Sequence, residues 1–417
     1  MKRYARVVLT LTLAGLAAGP PASGEWAAWR GPNDNGRVTE PSWDPQAMAG
    51  KLRVAWRAEV GRGHSAVAVR GDRLYTMGQK VRGSGSGRVA EEVIYCLSAK
   101  TGREIWRYGY PTTERDWPGP ASTPVLDGDR LYTIGREGEM LCLDANTGAV
   151  IWKRDLAREH LAEVPDWGFC SSPVVAGELV LLNAGSAGLT LDKNTGRVVW
   201  SSGKEAGSLS TPLVIGSAGQ RRALVASAST LSAVDVATGK IRWSRGWQAS
   251  SDPVLLGDRV LLTGGGRRTA SALLRIAGAE PEPLWEGEHL GGGFQSVVVI
   301  DGYAYGFGRG GRSQELECVE VATGQRKWNQ NLGEWGSLIA VNQSLLIAEG
   351  DGDFVLAAAS PEGFREIARI NAIPMTPAET NANNNDMRAV WTAPAFDAGR
   401  VFVRDNFGAL VCITGRS

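Results

Sequence analysis

Leu143-Asp144-Ala145-Asn146-Thr147-Gly148-Ala149-Val150-Ile151-Trp152 is the stretch on which the fold turns. It joins an apolar strand end to a turn closing on Thr-Gly, and three residues later delivers a tryptophan. Shorter copies end at Thr101-Gly102…Trp106, Thr195-Gly196…Trp200, Thr238-Gly239…Trp243 and Thr323-Gly324…Trp328, so the phrase returns about every 43 to 50 residues, the last copy after a double interval. Self-similarity at that period, with short alternating apolar runs between the phrases, predicts a radial array of four-stranded sheets.

A second phrase lies upstream of each Thr-Gly turn. Its cleanest copy is Ser122-Thr123-Pro124-Val125-Leu126-Asp127-Gly128-Asp129-Arg130-Leu131-Tyr132. Aligning the rest on it places Ser65, Ser122, Ser171, Ser210, Ser251, Ser296, Ser337 and Thr392 in one register, hence eight innermost strands and eight blades. Each unit reads as a strand, a Gly-Asp turn, a second strand, a variable loop, a third strand, the Thr-Gly turn, and a fourth strand ending in Trp. The last unit stops after Val411-Cys412-Ile413-Thr414-Gly415. Residues 52–57, with Trp56, carry the missing pattern and are expected to close that blade, removing an open edge between the terminal blades. The predicted class is therefore an all-β, eight-bladed β-propeller closed by its N-terminal strand. The fifth unit lacks Thr-Gly but keeps Trp285, and the seventh lacks the terminal Trp.

The expected division is a signal peptide at 1–24, an N-terminal segment at 25–51 and the propeller at 52–417. Lys2, Arg3 and Arg6 precede an apolar run from Val7 to Ala18 and a small-residue stretch, the layout of a secretory signal. The run is too short to span a bilayer, and no cysteine near the cleavage region suits lipid attachment. The expected location is periplasmic or secreted, with no transmembrane segment after cleavage. Formal charge is +1 for the whole chain; removing three cations from 1–24 leaves −2, which gives no electrostatic reason for nucleic acid to be a partner. Of the five cysteines, Cys96, Cys142, Cys318 and Cys412 occupy equivalent places in separate repeats, too far apart for disulfides, and read as buried thiols.

The Leu143–Trp152 phrase closely resembles the tryptophan-docking repeat of quinoprotein dehydrogenases, which hold pyrroloquinoline quinone (PQQ) at the centre of an eight-bladed propeller. The chain looks similar to exported bacterial PQQ-like repeat proteins and, more loosely, to the outer-membrane assembly factor BamB. Trp29-Arg30-Gly31-Pro32-Asn33-Asp34-Asn35-Gly36 resembles the opening of the PQQ-like group. The resemblance implies either a binding module or a PQQ enzyme with Ca²⁺, acting on alcohols or sugars. The Cys-Cys pair of quinoprotein alcohol dehydrogenases is missing, as are a Cys-x-x-Cys-His haem site and the Gly-x-Ser-x-Gly, His-Glu-x-x-His and Walker A signatures.

Length variation concentrates on one face, in the loops between second and third strands and in the blade-to-blade connections, where binding usually resides. That face is expected to carry Trp117, Trp167, Trp247, Phe294, Trp335, Trp391 and His64. Candidate ligand-binding residues are Trp117, Trp167, Trp335, Trp391, Ser122, Ser171, Arg388 and His64. Asp252, the one carboxylate inside the hydroxyl phrase, is the candidate cation ligand, and no catalytic residue is assigned. The Asn381–Asp386 run offers Ca²⁺-type oxygens without the spacing of a known loop. The sequence is read as a non-catalytic binding or scaffold module of the cell envelope with no cofactor expected, contacting a protein partner by its loops or by strand addition. The alternatives are the PQQ dehydrogenase and a propeller binding a small molecule or carbohydrate.

Overall fold

The computed structural model describes residues 25–83, 87–114, 119–227, 229–248, 250–264, 269–310, 313–333, 335–380 and 387–415. Residues 1–24, Trp117 and Asn381–Asp386 lie outside them, so the signal expectation and those two candidate features are not placed. Eight antiparallel sheets form the blades. Blade 1 runs Ala68–Arg70, Arg73–Arg82, Val89–Ser98 and Glu104–Thr112; blade 2 runs Val125–Asp127, Arg130–Ile134, Glu139–Asp144 and Val150–Asp155. Blades 3 to 7 begin with the inner strands Val174–Ala176, Leu213–Ile215, Val254–Leu256, Val298–Ile300 and Gly336–Val341. Blade 8 takes Ala395–Asp397, Arg400–Arg404 and Ala409–Thr414 from the C-terminal end and Arg53–Glu59 from the N-terminal end, as the missing strand required.

The repeated tryptophan joins neighbouring blades. Trp56, Trp106, Trp152, Trp200, Trp285 and Trp328 donate their indole N–H to the carbonyls of Ala99, Ala145, Lys193, Val236, Val321 and Ser360, each in the following blade, at 2.8–3.1 Å. Apolar side chains complete each joint. Tyr132, Ile134, Met140, Cys142 and Trp152 of blade 2 form one cluster with Val180, Leu182, Leu189 and Leu191 of blade 3. All five cysteines are free, and the four repeat cysteines are buried, which raises their thiol pKa values.

One residue before the docking position, every outer strand carries a β-bulge. The unpaired residues are Ala55, Ile105, Ile151, Val199, Arg242, Leu284, Lys327 and Ile367. A bulge increases local twist and interrupts the hydrogen-bonding row that an incoming strand would need. The repeat thus blunts all eight outer edges while setting the tryptophan, and strand addition loses support relative to loop contact.

The inner hydroxyls need one correction. Counting back from the first hairpin of each blade, Ser65, Ser122, Ser171, Ser210, Ser251 and Thr392 share a register, but Gln295 and Gly336 complete it. Ser296 and Ser337 fall one residue later, with Thr123, Ser172, Thr211 and Asp252. Ser296 and Ser337 lack the proline two residues on that marks the count at Ser122, Ser171, Ser210, Ser251 and Thr392.

That second register is a latch between blades. The backbone N–H of Ala66 donates to Thr123 Oγ1, Thr123 to Ser172 Oγ, Ser172 to Thr211 Oγ1, Thr211 to Asp252 Oδ1 and Asp252 to Ser296 Oγ, at 2.6–3.2 Å. Ser337 Oγ donates to the Trp391 carbonyl and Thr392 Oγ1 to that of His64, carrying the ring through blades 7, 8 and 1.

Candidate functional site

The N-terminal segment crosses the central channel. Trp26 bridges to Val69 of blade 1, and the Ala27 carbonyl accepts from Leu126 of blade 2. Trp29 Nε1 then donates to Asp252 Oδ2 at 2.5 Å, and Arg30 donates to the Val297 carbonyl of blade 6. Arg37 reaches the Val299 carbonyl, and Arg37–Val38 pairs parallel with Ala340 and Val341 of blade 7. The segment therefore spans from one side of the ring to the other before entering blade 8.

Asp252 is set by this arrangement. Its carboxylate accepts from Trp29, from the Thr211 backbone and from Ser296 Oγ at 2.9 Å, with Arg30 Nη1 at 4.0 Å. Three donors and a guanidinium stand where a cation ligand would need open coordination, so the donor set fits a hydrogen-bonded structural anion and not a Ca²⁺ ligand. Burial lowers the Arg30 pKa, while Asp252 and Asp34 oppose the shift.

On the opposite, variable-loop face, four rings meet. His64 stacks on Trp391 with centroids 5.3 Å apart and planes 11° from parallel. Trp391 contacts Phe294 at 6.0 Å and Trp335 at 6.2 Å, and Phe294 contacts Trp335 at 6.1 Å, with planes inclined by 36–58°. These residues come from the connections entering blades 6, 7, 8 and 1. Phe294 and Trp335 are each 36% exposed, and Trp167 is 55% exposed at the approach to blade 3. The structure brings together His64, Trp335 and Trp391 of the sequence candidates. Trp167 takes no part in the four-ring cluster. Trp247 is corrected: it is buried against Leu213, Leu224 and Val260 in the core, not at the mouth.

Of the remaining candidates, Arg388 and Ser171 are engaged in the fold. Arg388 Nε donates to Asp405 at 2.6 Å and Nη1 to Glu379 at 3.0 Å. Ser171 Oγ reaches the Ser172 carbonyl at 3.4 Å, whereas Ser122 is fully buried with its Oγ lacking a hydrogen-bond partner. Neither the Arg388 guanidinium nor the Asp252 carboxylate is disposed to take a carboxylated quinone and its cation, so the named residues do not fit that group.

Burial and the guanidinium groups of Arg404, Arg136 and Arg62 push the His64 pKa down to about 3, so its ring is neutral in the folded protein. In the unfolded chain it titrates near 6.5. The neutral ring therefore contributes stability present above that value and lost as pH falls through the interval from 6.5 toward about 3. His64→Gln is expected to lose less of its thermal midpoint than the parent between about pH 7 and about pH 4. Parallel unfolding scans check this, and equal pH slopes would refute the linkage.

Two features escaped sequence reasoning. Glu349, Asp351 and Asp353 place carboxylate oxygens within 4.8 Å of one another. Arg369 bridges Glu349 and Asp353 at 2.8 and 2.9 Å, and burial raises Glu349 to about 7. The Glu-Gly-Asp-Gly-Asp spacing was the available signal. The other is Arg404, a buried guanidinium whose partners lie far away in sequence.

An eight-bladed propeller with indole-docked blades, a channel crossed by its own N-terminal segment and an aromatic mouth defines the class. The family described as outer membrane protein assembly factor BamB matches residues 90–330, more than half of the chain, and the chain belongs to that family. Among curated relatives, BamB of Moranella endobia (strain PCIT) is 23% identical over 284 residues, covering 65% of this chain and 61% of its own length. Polyvinylalcohol dehydrogenase of Sphingopyxis sp. (strain 113P3) is 26% identical over 207 residues, covering 43% of this chain and 28% of its own. The matched region thus spans less than two thirds of either relative. Of solved structures, BamB from Moraxella catarrhalis superposes with TM-score 0.63 at 16% identity, covering 87% of this chain and 97% of that one. Quinohemoprotein alcohol dehydrogenase from Comamonas testosteroni gives 0.68 at 12% identity, covering 95% and 81%. These likenesses describe the fold. No helix among the described residues is long and apolar enough to cross a membrane.

Proposed function

We propose that the protein is an exported, non-catalytic binding module of the cell envelope, with the variable-loop mouth as its contact surface. One observation carries this reading: Trp29 and Arg30 of the chain's own N-terminal segment occupy the channel, and Trp29 is hydrogen-bonded to Asp252, the residue otherwise best suited to hold a cation. Most of the second-register hydroxyls latch neighbouring blades and add a structural use for inner polar groups that a cofactor would otherwise recruit. The bulged outer strands direct the choice of surface to the loops.

The opposing reading, a PQQ oxidoreductase, draws on the similarity to alcohol and polyvinylalcohol dehydrogenases. Thermal unfolding of residues 25–417 with about 100 µM PQQ plus Ca²⁺ separates the two, because a ligand bound only by the native state raises the midpoint. The expected result is no saturable rise and no bound-quinone absorbance. A saturable rise with that absorbance would replace the binding-module reading with the oxidoreductase.

A further inference from the structure

We propose that the N-terminal segment is a strap that locks the ring between blades 7 and 8, and that its two ends are coupled, so that vacating the channel unlocks the ring. This holds whatever the mouth binds. At five joints an indole lies against the Thr-Gly glycine of the next blade. A Cβ at Gly102, Gly148, Gly196, Gly239 or Gly324 would stand 2.5–2.9 Å from Trp56, Trp106, Trp152, Trp200 or Trp285 respectively. Between blades 7 and 8 both halves of that pair are missing. The docking position of blade 7, opposite Leu356 as Trp152 is opposite Cys142, holds Ala368. In blade 8 the third and fourth strands are not consecutive in the chain, so no Thr-Gly turn joins them.

The strap fills that joint. Gln46–Met48 forms a single 3₁₀ turn, and Met48 reaches Gly415, just beyond the third strand of blade 8, where a Cβ would stand 2.8 Å from Met48 Cγ. Trp43 meets the Phe396 ring of blade 8 edge-on, with centroids 5.7 Å apart. Both side chains are buried in one apolar cluster with Ile339, Leu346 and Leu356 of blade 7 and Phe396 and Phe402 of blade 8, and Ala368 packs against it. An unbranched thioether suits the irregular space that a small residue at 368 leaves. Asn342, in the first hairpin of blade 7, clamps the strap alongside: its Oδ1 accepts from the Glu40 N–H and its Nδ2 donates to the Glu40 carbonyl, both at 2.9 Å.

Between the channel and this joint the strap has little slack. Its anchors follow one another along the chain: Trp29 on Asp252, Arg30 on the Val297 carbonyl, Gly36 and Val38 on the N–H groups of Ala340 and Asn342, then Glu40, Trp43 and Met48. The turn after Arg30 is closed by the Gly36 N–H on the Arg30 carbonyl at 2.9 Å. The strap's own conformation is costly. Arg30 holds left-handed backbone at φ +64°, and its buried Nε and Nη1 make no hydrogen bond. Anchors at both ends hold that conformation in place, so releasing one end removes part of what offsets the cost and favours release of the other.

The test is hydrogen exchange of the purified protein, read by mass spectrometry. Met48→Ala, at the joint, should speed exchange about tenfold or more in the outer strands Arg365–Asn371 and Arg53–Glu59, and also across Trp29–Gly36 in the channel. Trp29→Ala, in the channel, should speed Gln46–Met48 and Arg365–Asn371 comparably. Leu189–Asp192 of blade 3 should keep the parent's rate in both variants. Thermal midpoints show whether each variant is folded. If Trp29→Ala is not, Asn342→Gly breaks the strap midway, at a φ of +52° that glycine takes freely, and should speed both ends. Faster exchange confined to the mutated end would overturn the coupling. Unchanged exchange of Arg365–Asn371 in Met48→Ala would overturn the lock itself.

Discussion

Replacing Arg404 with methionine is expected to lower the stability of the propeller by more than about 3 kcal/mol, seen as a large drop in the denaturation midpoint. Arg404 is 2% exposed and sits at the end of the second strand of blade 8. Its nitrogens donate to the carbonyls of Gly61, Gly63, Ser65, Met77 and Asp405 and to Thr76 Oγ1, at 2.6–3.3 Å. Four of those carbonyls belong to the connection into blade 1 or to its second strand. The residue therefore joins the last blade to the first, where the ring must close. Each carbonyl left buried without a donor costs about 1–3 kcal/mol, which several such groups multiply. Removing the charge returns part of this, since burial already pulls the guanidinium down to about 10 against the opposing Asp405 and Glu59. Arg404→Lys should recover only part of the loss, because an ammonium has three donors and no planar fork. Hydrogen exchange should show faster opening of Arg53–Glu59 and Ala409–Thr414 than of blade 3. A midpoint within about 0.5 kcal/mol of the parent would refute the closure role.

The difference between Arg404 and the tryptophans shows what a single sequence discloses. Trp106, Trp152 and their equivalents act within a repeat and on its immediate neighbour, so their role recurs along the chain and becomes visible as a period. The strand Arg53–Glu59 could be assigned to blade 8 because it completes that pattern. Arg404, Asp252 and Trp29 act once each, across sequence separations that no periodicity encodes. Asp252 illustrates the limit. Its place in the hydroxyl phrase is legible, but its partner Trp29 lies 223 residues away, so from sequence alone it stands as a candidate cation ligand. The mouth was legible as a face because length variation and aromatics gather there. Which rings touch was not, since Trp247 has the same relation to its blade and turns into the core.

Gly148→Ala is the second large effect expected, and Gly128→Ala is its internal control. Both glycines have positive φ, +75° at Gly148 and +56° at Gly128, where an L side chain costs roughly 1–2 kcal/mol. They differ in what a Cβ would meet. At Gly128, in a first hairpin turn, nothing lies within 4 Å. At Gly148 the new carbon would stand 2.6 Å from Trp106 Cε3, inside the blade 1–blade 2 joint. The indole must shift, loosening its bond to the Ala145 carbonyl at 3.0 Å, and overpacking of this kind adds about 1–3 kcal/mol. Gly148→Ala should therefore destabilise by about 2–5 kcal/mol and Gly128→Ala by about 1–2 kcal/mol, read from denaturant midpoints. In a Trp106→Ala background the two substitutions should become nearly equal, because the clash disappears while the backbone strain remains. If Gly148→Ala stays more costly without the indole, the Thr-Gly turn is conserved within the repeat by its own geometry and not by tryptophan docking.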